Sequence, residues 1–160
     1  MKTMDDLFLH MLKDVYHAEK QLVRALKQMA KQAKDDQLKQ AFEKHREETI
    51  GQIERLDQVF EMLDKAARGV PCEAMQGLVA EAKEVIEEAE DKEVLDAGLL
   101  AAAQAVEHYE IARYGTLVAW ANQLGLKDAA KLFEQTLAEE KKTDELLSKL
   151  ALQNVNKKAA

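Results

Sequence analysis

The sequence is poor in the residues that break helices or cross-link chains. Its 160 residues include one proline, six glycines and one cysteine. A single cysteine excludes an intrachain disulfide and any metal or redox site of the Cys-x-x-Cys type. Aromatic residues make up only 5% of a chain that is 47% apolar, so the core must consist mainly of aliphatic side chains, which favours helix-on-helix packing over a sheet sandwich. We therefore expect an all-α protein that forms a single domain over residues 1–160.

Positive charge and long apolar runs are also scarce. The chain has 23 lysines and arginines against 30 acidic residues, a net charge of −7, and no basic patch is interleaved with aromatic residues. This composition argues against nucleic acid and against anionic membranes as partners. The opening residues lack the apolar run of a signal peptide, and no stretch of about 18 apolar residues is present to span a membrane. We therefore expect a cytoplasmic protein.

Apolar residues recur at steps of three and four along most of the chain, which is the period of amphipathic helices. Thr3 suits the N-cap of the first helix, and Gly69 with Pro71 marks the clearest break. Two antiparallel hairpins of long helices, joined by a crossover with a short helix, are typical of ferritin-like four-helix bundles. We expect this fold, with helices over about 3–33, 37–65, 73–90, 94–123 and 128–150 and a frayed tail over 154–160.

The two halves of the chain are related by an internal repeat that needs no gap. Residues 15–56 align with residues 106–147 with eleven identities in 42 positions. A repeat that occurs only twice is unlike a solenoid. We infer that each half is one helical hairpin, and that the assembled pair brings equivalent side chains together about a pseudo-twofold axis. The identical pairs include Val15/Val106, His17/His108, Glu19/Glu110, Phe42/Phe133, Glu43/Glu134, Glu48/Glu139 and Leu56/Leu147.

Polar residues interrupt the apolar seam of each long helix near its midpoint. Glu19 and Glu110 occupy seam positions that an apolar residue would normally hold, and the repeat superimposes them. A carboxylate in a bundle core is costly without a partner, so polar midpoints at one level predict a metal site. Bridging carboxylates with an imidazole suit iron or manganese, so we predict a dinuclear site for one of these metals. The candidate ligands are Glu19, Glu48, Glu110 and either Glu139 or Glu140, with His45 and Glu107 as additional candidates.

The Glu-x-x-His motif of dinuclear ferritin-like sites is absent from both hairpins. The residues three positions after the acids of the second and fourth helices are Ile50, Gly51, Lys142 and Thr143. Two ligand sets therefore stay open. Either His45 supplies nitrogen in the reversed order His45-x-x-Glu48, or the site is all oxygen, with Gln52 and Thr143 as weak ligands or outer groups, and would also tolerate Ca²⁺. Without a metal, the buried acids would be protonated or paired with arginine.

Four segments at the polar midpoints carry a more specific pattern. They are Ala18-Glu19-Lys20-Gln21, His45-x-x-Glu48-Thr49-x-x-Gln52, Glu107-His108-Tyr109-Glu110-Ile111-Ala112-x-Tyr114 and Glu139-Glu140-Lys141. Together they resemble the bacterial YciF-like stress-response proteins of the ferritin-like superfamily, and the resemblance runs from Met4 to Lys158. It implies a ferritin-like bundle that dimerises in the cytoplasm, with a proposed dinuclear metal site whose ligands map onto the same candidates. It does not imply a known reaction.

Three functions are compatible with these features. The first is a stress-response protein that binds iron or manganese and either sequesters the metal or turns over peroxide. The second is a non-catalytic helical scaffold or interaction module, induced by stress, in which hydrogen bonds alone hold the core acids. The third, an oxygen-activating hydroxylase, is disfavoured because no Glu-x-x-His pair is present. Whether the protein is an enzyme stays open. Apolar residues such as Trp120 and Leu152 favour a homodimer in which a second chain covers them.

Overall fold

The computed structural model describes residues 1–160, nearly all of them helical and none in a strand. The elements are α1 Met4–Gln32, α2 Asp36–Met62, α3 Glu73–Glu88, α4 Lys92–Gln123, α5 Lys127–Leu150, a π-helical turn Ala151–Val155 and α6 Asn156–Ala159. The predicted all-α, ferritin-like bundle is confirmed. The five helices expected from the sequence begin and end within three residues of their expected bounds. None of the helices is both long and apolar enough to cross a membrane.

Polar caps and one glycine fix where the long helices begin and end. The Thr3 hydroxyl accepts a hydrogen bond from the Asp6 amide (3.1 Å), and the Asp6 carboxylate accepts one from the Thr3 amide (3.2 Å). This reciprocal cap satisfies two donors at the start of α1. Asp35 and Asp91 cap α2 and α4 through their own carboxylates. Gly125 follows α4 with a φ of 74°, which glycine adopts without steric cost, so the expected turn into α5 lies here.

The α1/α2 and α4/α5 hairpins pack side by side, and α3 crosses between them against α1 and α4. The Lys34 amide, just beyond α1, donates to Asp96 Oδ1 near the start of α4 at 2.8 Å. Asn154, beyond α5, donates to Asp35 at the start of α2 at 2.8 Å. These end-to-start contacts show that α1 runs antiparallel to α4, and α2 antiparallel to α5. The midpoints of the four long helices therefore lie at one level.

The C-terminal segment differs from the frayed tail expected over 154–160. Beyond α5 the chain continues through the π-helical turn into α6. Ala151 and Val155 are buried in the core at this end of the bundle, and Asn154 and Lys158 both donate to Asp35. Two buried apolar residues are too few to show a helical period in the sequence of this segment. The segment is ordered by tertiary contacts with the bundle rather than by its own helix propensity.

A layer of buried polar side chains divides the apolar core into two clusters. One cluster contains Phe42 and Leu99, and the other contains Phe8 and Phe133, whose rings meet edge to face at 6.2 Å between centroids. The polar layer lies between them, at the midpoints of α1, α2, α4 and α5, which is the level that the interrupted seams predict. It consists of Glu19, His45, Thr49, Gln52, Glu107, Glu110, Thr136, Glu140 and Thr143.

Candidate metal centre

Four side chains of the polar layer converge on one point. His45 comes from α2 and Glu140 from α5, and α4 supplies both Glu107 and Glu110. His45 Nε2 lies 2.9 Å from Glu107 Oε1. The same nitrogen lies 3.8 Å from Glu140 Oε2 and 4.0 Å from Glu110 Oε2. One donor atom from each residue lies within 4.8 Å of all the others. With small side-chain adjustments they can all reach one ion, because metal bonds to nitrogen and oxygen are about 2.0–2.2 Å long.

Most polar side-chain atoms of this centre lack hydrogen-bond partners, the exception being Glu140 Oε1, which accepts a hydrogen bond from the Gln52 side-chain amide. Both carboxylate oxygens of Glu107 and of Glu110, and both ring nitrogens of His45, are buried without one. The approach of His45 to Glu107 has the distance of a hydrogen bond but not its direction. Buried polar groups are nearly always satisfied in native proteins, so each exception needs a physical explanation. A bound cation would satisfy His45 Nε2 and the converging carboxylate oxygens together, so the residues present fit a metal ion.

Burial makes Glu107 and Glu110 hard to ionise without a cation. It raises the pKa of Glu107 to about 12, and the neighbouring Glu140 adds to the effect. Burial likewise raises the pKa of Glu110 well above its usual value. It lowers the pKa of His45, so the imidazole stays neutral and keeps a lone pair for a metal. Because a divalent cation stabilises ionised carboxylates, its binding would release protons from these acids.

Glu19 lies beside the centre rather than within it. Its Oε1 accepts a hydrogen bond from the buried Tyr114 hydroxyl, and its Oε2 has no partner. Burial, together with the charge of Glu140, raises the pKa of Glu19 to about 8. The repeat equates Glu19 with Glu110, yet only Glu110 joins the convergent group. The two halves of the bundle therefore use equivalent glutamates differently.

The neighbouring acids Glu139 and Glu140 have separate environments. Glu140 is buried among the converging side chains. Glu139 forms a bidentate ion pair with Arg55, with nitrogen–oxygen distances of 2.6 and 2.8 Å. Burial acts to raise the pKa of Glu139, but hydrogen bonds from Arg55 and Gln52 lower it overall. Of the two candidates on the fourth long helix, the structure thus brings Glu140 into the centre and leaves Glu139 in an ion pair.

Glu48, the carboxylate candidate on α2, lies at the edge of the polar layer. Its side chain is 23% exposed, and it accepts a hydrogen bond from the Thr143 hydroxyl at 3.3 Å. Burial raises its pKa. The structure therefore brings together four of the seven candidate ligands, leaves Glu19 adjacent to them, and places Glu48 and Glu139 outside.

The candidate centre is asymmetric although the bundle is pseudo-symmetric. The repeat matches Thr49 with Glu140 and Gln52 with Thr143, and all four side chains are buried in the polar layer. These are the positions that a pair of Glu-x-x-His motifs would fill. One of the four is a carboxylate and none is a histidine. The nitrogen donor is instead His45, one helical turn before Thr49, so the first hairpin supplies one of the four donors and the second hairpin supplies three.

The sequence analysis did not identify which polar residues of α2 and α5 face the core. It preferred Glu48 to Thr49 and left Glu139 and Glu140 as equals. A regular signal separates them, because steps of three and four residues connect the buried Phe42 with the buried Leu56, and the same steps connect Phe133 with Leu147. The intervening positions on those steps are His45, Thr49 and Gln52 on α2, and Thr136, Glu140 and Thr143 on α5.

Known proteins resemble this chain along its whole length. A family model described as Domain of unknown function (DUF892) matches residues 3–160. The chain belongs to this family. It is 57% identical to protein YciF of Escherichia coli K12 over 160 residues, which are 99% of this chain and 96% of that protein. The crystal structure of the E. coli stress protein YciF superimposes with a TM-score of 0.93 at 56% identity, covering 98% of this chain and 99% of that one. The predicted resemblance to YciF-like proteins is thus confirmed.

Two further solved structures share the architecture. A Rhodopseudomonas palustris protein, proposed to be structural, is 52% identical with a TM-score of 0.90, over 92% of this chain and 94% of that one. A protein from Xanthomonas campestris pv. campestris is 23% identical with a TM-score of 0.73, over 92% of this chain and 90% of that one. At that identity, the Xanthomonas protein shows the shared fold alone.

Proposed function

We propose that the protein binds one divalent iron or manganese ion at the centre formed by His45, Glu107, Glu110 and Glu140. One imidazole with three carboxylates is a donor set suited to these ions. The observation that supports this most strongly is that nine buried nitrogen and oxygen atoms of the polar layer have no hydrogen-bond partner. Each such group costs about 1–3 kcal/mol when it is buried unsatisfied, and a cation would remove much of that cost.

The same geometry favours one ion over the dinuclear site predicted from the sequence. A second ion would depend on Glu19, on the unpartnered Oε1 of Gln52, and on oxygens shared with Glu110 or Glu140. It would have no nitrogen ligand of its own, and Glu19 would have to give up its proton. We therefore propose that a second position binds more weakly and fills only at high metal concentration.

The residues around the centre would control a bound ion in different ways. A bound iron or manganese ion supplies Lewis-acid and redox chemistry. His45 and the three glutamates would fix its position, while the apolar clusters on both sides of the polar layer exclude bulk water. The Tyr114 hydroxyl orients the Glu19 carboxyl group, which keeps its free oxygen beside the centre.

We further propose that metal binding serves a cytoplasmic stress response, by sequestering the ion or by turning over peroxide. The E. coli relative is described as a stress protein, and its sequence covers nearly the whole of this chain. We also propose a homodimer, because Leu152 is 72% exposed and exposed large apolar side chains favour association.

A helical scaffold or interaction module without bound metal is the alternative. The absence of both Glu-x-x-His motifs favours it, and so does the description of the R. palustris relative as a proposed structural protein. In a scaffold, the centre would hold protonated acids, and the raised pKa values of Glu107 and Glu110 are compatible with that state. Metal ions would then leave the stability of the protein unchanged.

Calorimetric titration of chelator-treated protein with Mn²⁺ separates these two functions. The metal-binding proposal expects one saturable equivalent per chain with proton release, and loss of that binding in the double variant His45→Ala/Glu110→Gln. Glu139→Gln is the matched control, since it removes a carboxylate next to Glu140 but outside the centre. Absence of saturable binding in the unaltered protein would favour the scaffold.

A further inference from the structure

A surface pocket leads to the buried centre between α2 and α5. Its volume is about 270 Å³, and its lining includes His45, Glu48 and Thr143 together with Lys44, Lys142 and Lys149. His45 is 2% exposed and Thr143 is 8% exposed, so these two side chains form the inner wall. The lysines are at the outside. The His45 side chain therefore lies between this pocket and the cluster of carboxylates.

We propose that this pocket is the route by which a divalent cation reaches the centre, and that Glu48 is the carboxylate the ion meets in transit. This inference rests on the proposed metal binding. Glu48 lies one helical turn after His45 on the same face of α2. Its Oε2 accepts from the inner Thr143 hydroxyl at 3.3 Å, while its Oε1 lies 3.8 Å from Lys44 at the outside. The carboxylate thus lies between solvent and the unpartnered imidazole of His45.

The transit role follows from the cost of removing water from a cation. A divalent ion that leaves solvent for the polar layer loses hydration before it gains all of its protein ligands. A half-buried carboxylate along the path replaces part of that hydration and lowers the barrier. Glu48 is outside the reach of the convergent donor atoms, so it contributes to the path and not to the final ligand set.

The charges of the lysines around the pocket affect the approach of a cation. Lys44 lies near Glu48, and Lys149 lies 3.2 Å from Glu145, which leaves the charges of these two lysines partly balanced. Lys142 forms none of the ion pairs in the structure. Its charge therefore opposes the approach of a cation and would attract an anion. Removing that charge should speed the uptake of a cation.

Metal-loading kinetics test the route with Co²⁺ as an optical probe. Stopped-flow absorbance gives the loading rate of chelator-treated protein, and excess chelator gives the release rate. Because a transit ligand lowers the barrier in both directions, Glu48→Gln should slow loading and release together by about tenfold and leave the dissociation constant unchanged. Glu47→Gln is the matched control, since it removes an exposed carboxylate one residue away on α2 and should keep both rates. Lys142→Gln should load faster.

The following results would contradict the proposed entry route. If Glu48→Gln loads and releases at the rates of the unaltered protein, Glu48 is not on the path. If it weakens equilibrium binding instead, Glu48 is a ligand of the resident ion. Slower loading of Lys142→Gln would contradict the passage of a cation past Lys142 into this pocket. Failure of the unaltered protein to bind Co²⁺ would overturn the metal-binding proposal itself, whereas binding with unchanged variant rates would overturn only the route.

Discussion

Glu140 Oε2 lies 3.8 Å from His45 Nε2 across the interface between α5 and α2, so the two side chains connect the hairpins at the centre of the bundle. The adjacent Glu139 is turned away by about 100° around the helix and pairs with Arg55. One residue step thus separates a carboxylate among potential metal ligands from a carboxylate in an ion pair. This difference gives a pair of variants with equal chemistry and different expected effects.

Glu140→Gln should weaken Mn²⁺ binding by at least about tenfold, because the amide cannot supply an anionic ligand. Glu139→Gln should leave the affinity nearly unchanged. It should instead lower the unfolding free energy of the metal-free protein by about 1 kcal/mol, since it removes the partner of a partly exposed arginine. Metal titration and urea unfolding of both variants check this. Equal loss of affinity in the two variants would contradict the assignment of Glu140.

Saturating Mn²⁺ should stabilise the protein. A single site that is occupied at 100 times its dissociation constant adds about 2.7 kcal/mol, which corresponds to a rise in Tm of about 5–10 °C for a chain of this size. Glu107→Gln should reduce the rise by half or more and change the metal-free protein little, because Glu107 is already uncharged there. Scanning calorimetry with and without Mn²⁺ measures both effects. A Glu107→Gln variant that keeps the full rise would exclude Glu107 from the centre.

The metal-free protein should lose stability as pH rises from 6.5 to 8. The pKa of Glu19 is raised from 4.5 to about 8 on folding, so in this interval the folded chain holds a proton that the unfolded chain has released. Each pH unit then costs up to about 1.4 kcal/mol of unfolding free energy for that one group. The pKa of His45 is lowered from 6.5 on folding, so near pH 6.5 the unfolded chain binds more protons at this residue, which offsets part of the slope at the lower end of the interval.

Urea unfolding of chelator-treated protein across that pH interval measures the slope. Glu19→Gln should reduce it, because the amide binds no proton. Metal affinity should show the opposite pH dependence, rising with pH as the acids release their protons more easily. Stability of the metal-free protein that stays constant or rises between pH 6.5 and 8 would contradict the protonated state of these acids.

Thr143→His should increase the capacity of the protein for metal. Thr143 lies three residues after Glu140 and faces the polar layer, so a histidine there completes a Glu-x-x-His spacing on α5. We expect a second equivalent of Mn²⁺ to bind in calorimetric titration. Lys142→His places the same side chain one residue earlier on an exposed position and should not add an equivalent. An unchanged stoichiometry in Thr143→His would show that the Glu-x-x-His register does not govern this bundle.

The sequence determined the level of the candidate centre but not its composition. Glu19 and Glu110 interrupt apolar seams that are otherwise regular, so hydrophobic periodicity alone locates the layer. The partners of His45 could not be derived in the same way. They depend on how far α2, α4 and α5 rotate about their own axes when they pack, and interdigitating aliphatic side chains set that rotation. Val155 presents the same problem, since its burial depends on an apolar surface contributed by distant residues.

Metal content per chain tests the proposed centre most directly. Untagged protein would be purified without chelator from cells grown with added iron and manganese, and analysed by plasma mass spectrometry beside His45→Ala/Glu107→Gln and the control Glu139→Gln. We predict about one iron or manganese ion per chain in the unaltered protein and in the control, and almost none in the double variant. Metal far below one ion per chain in all three proteins would contradict the metal centre and favour the scaffold.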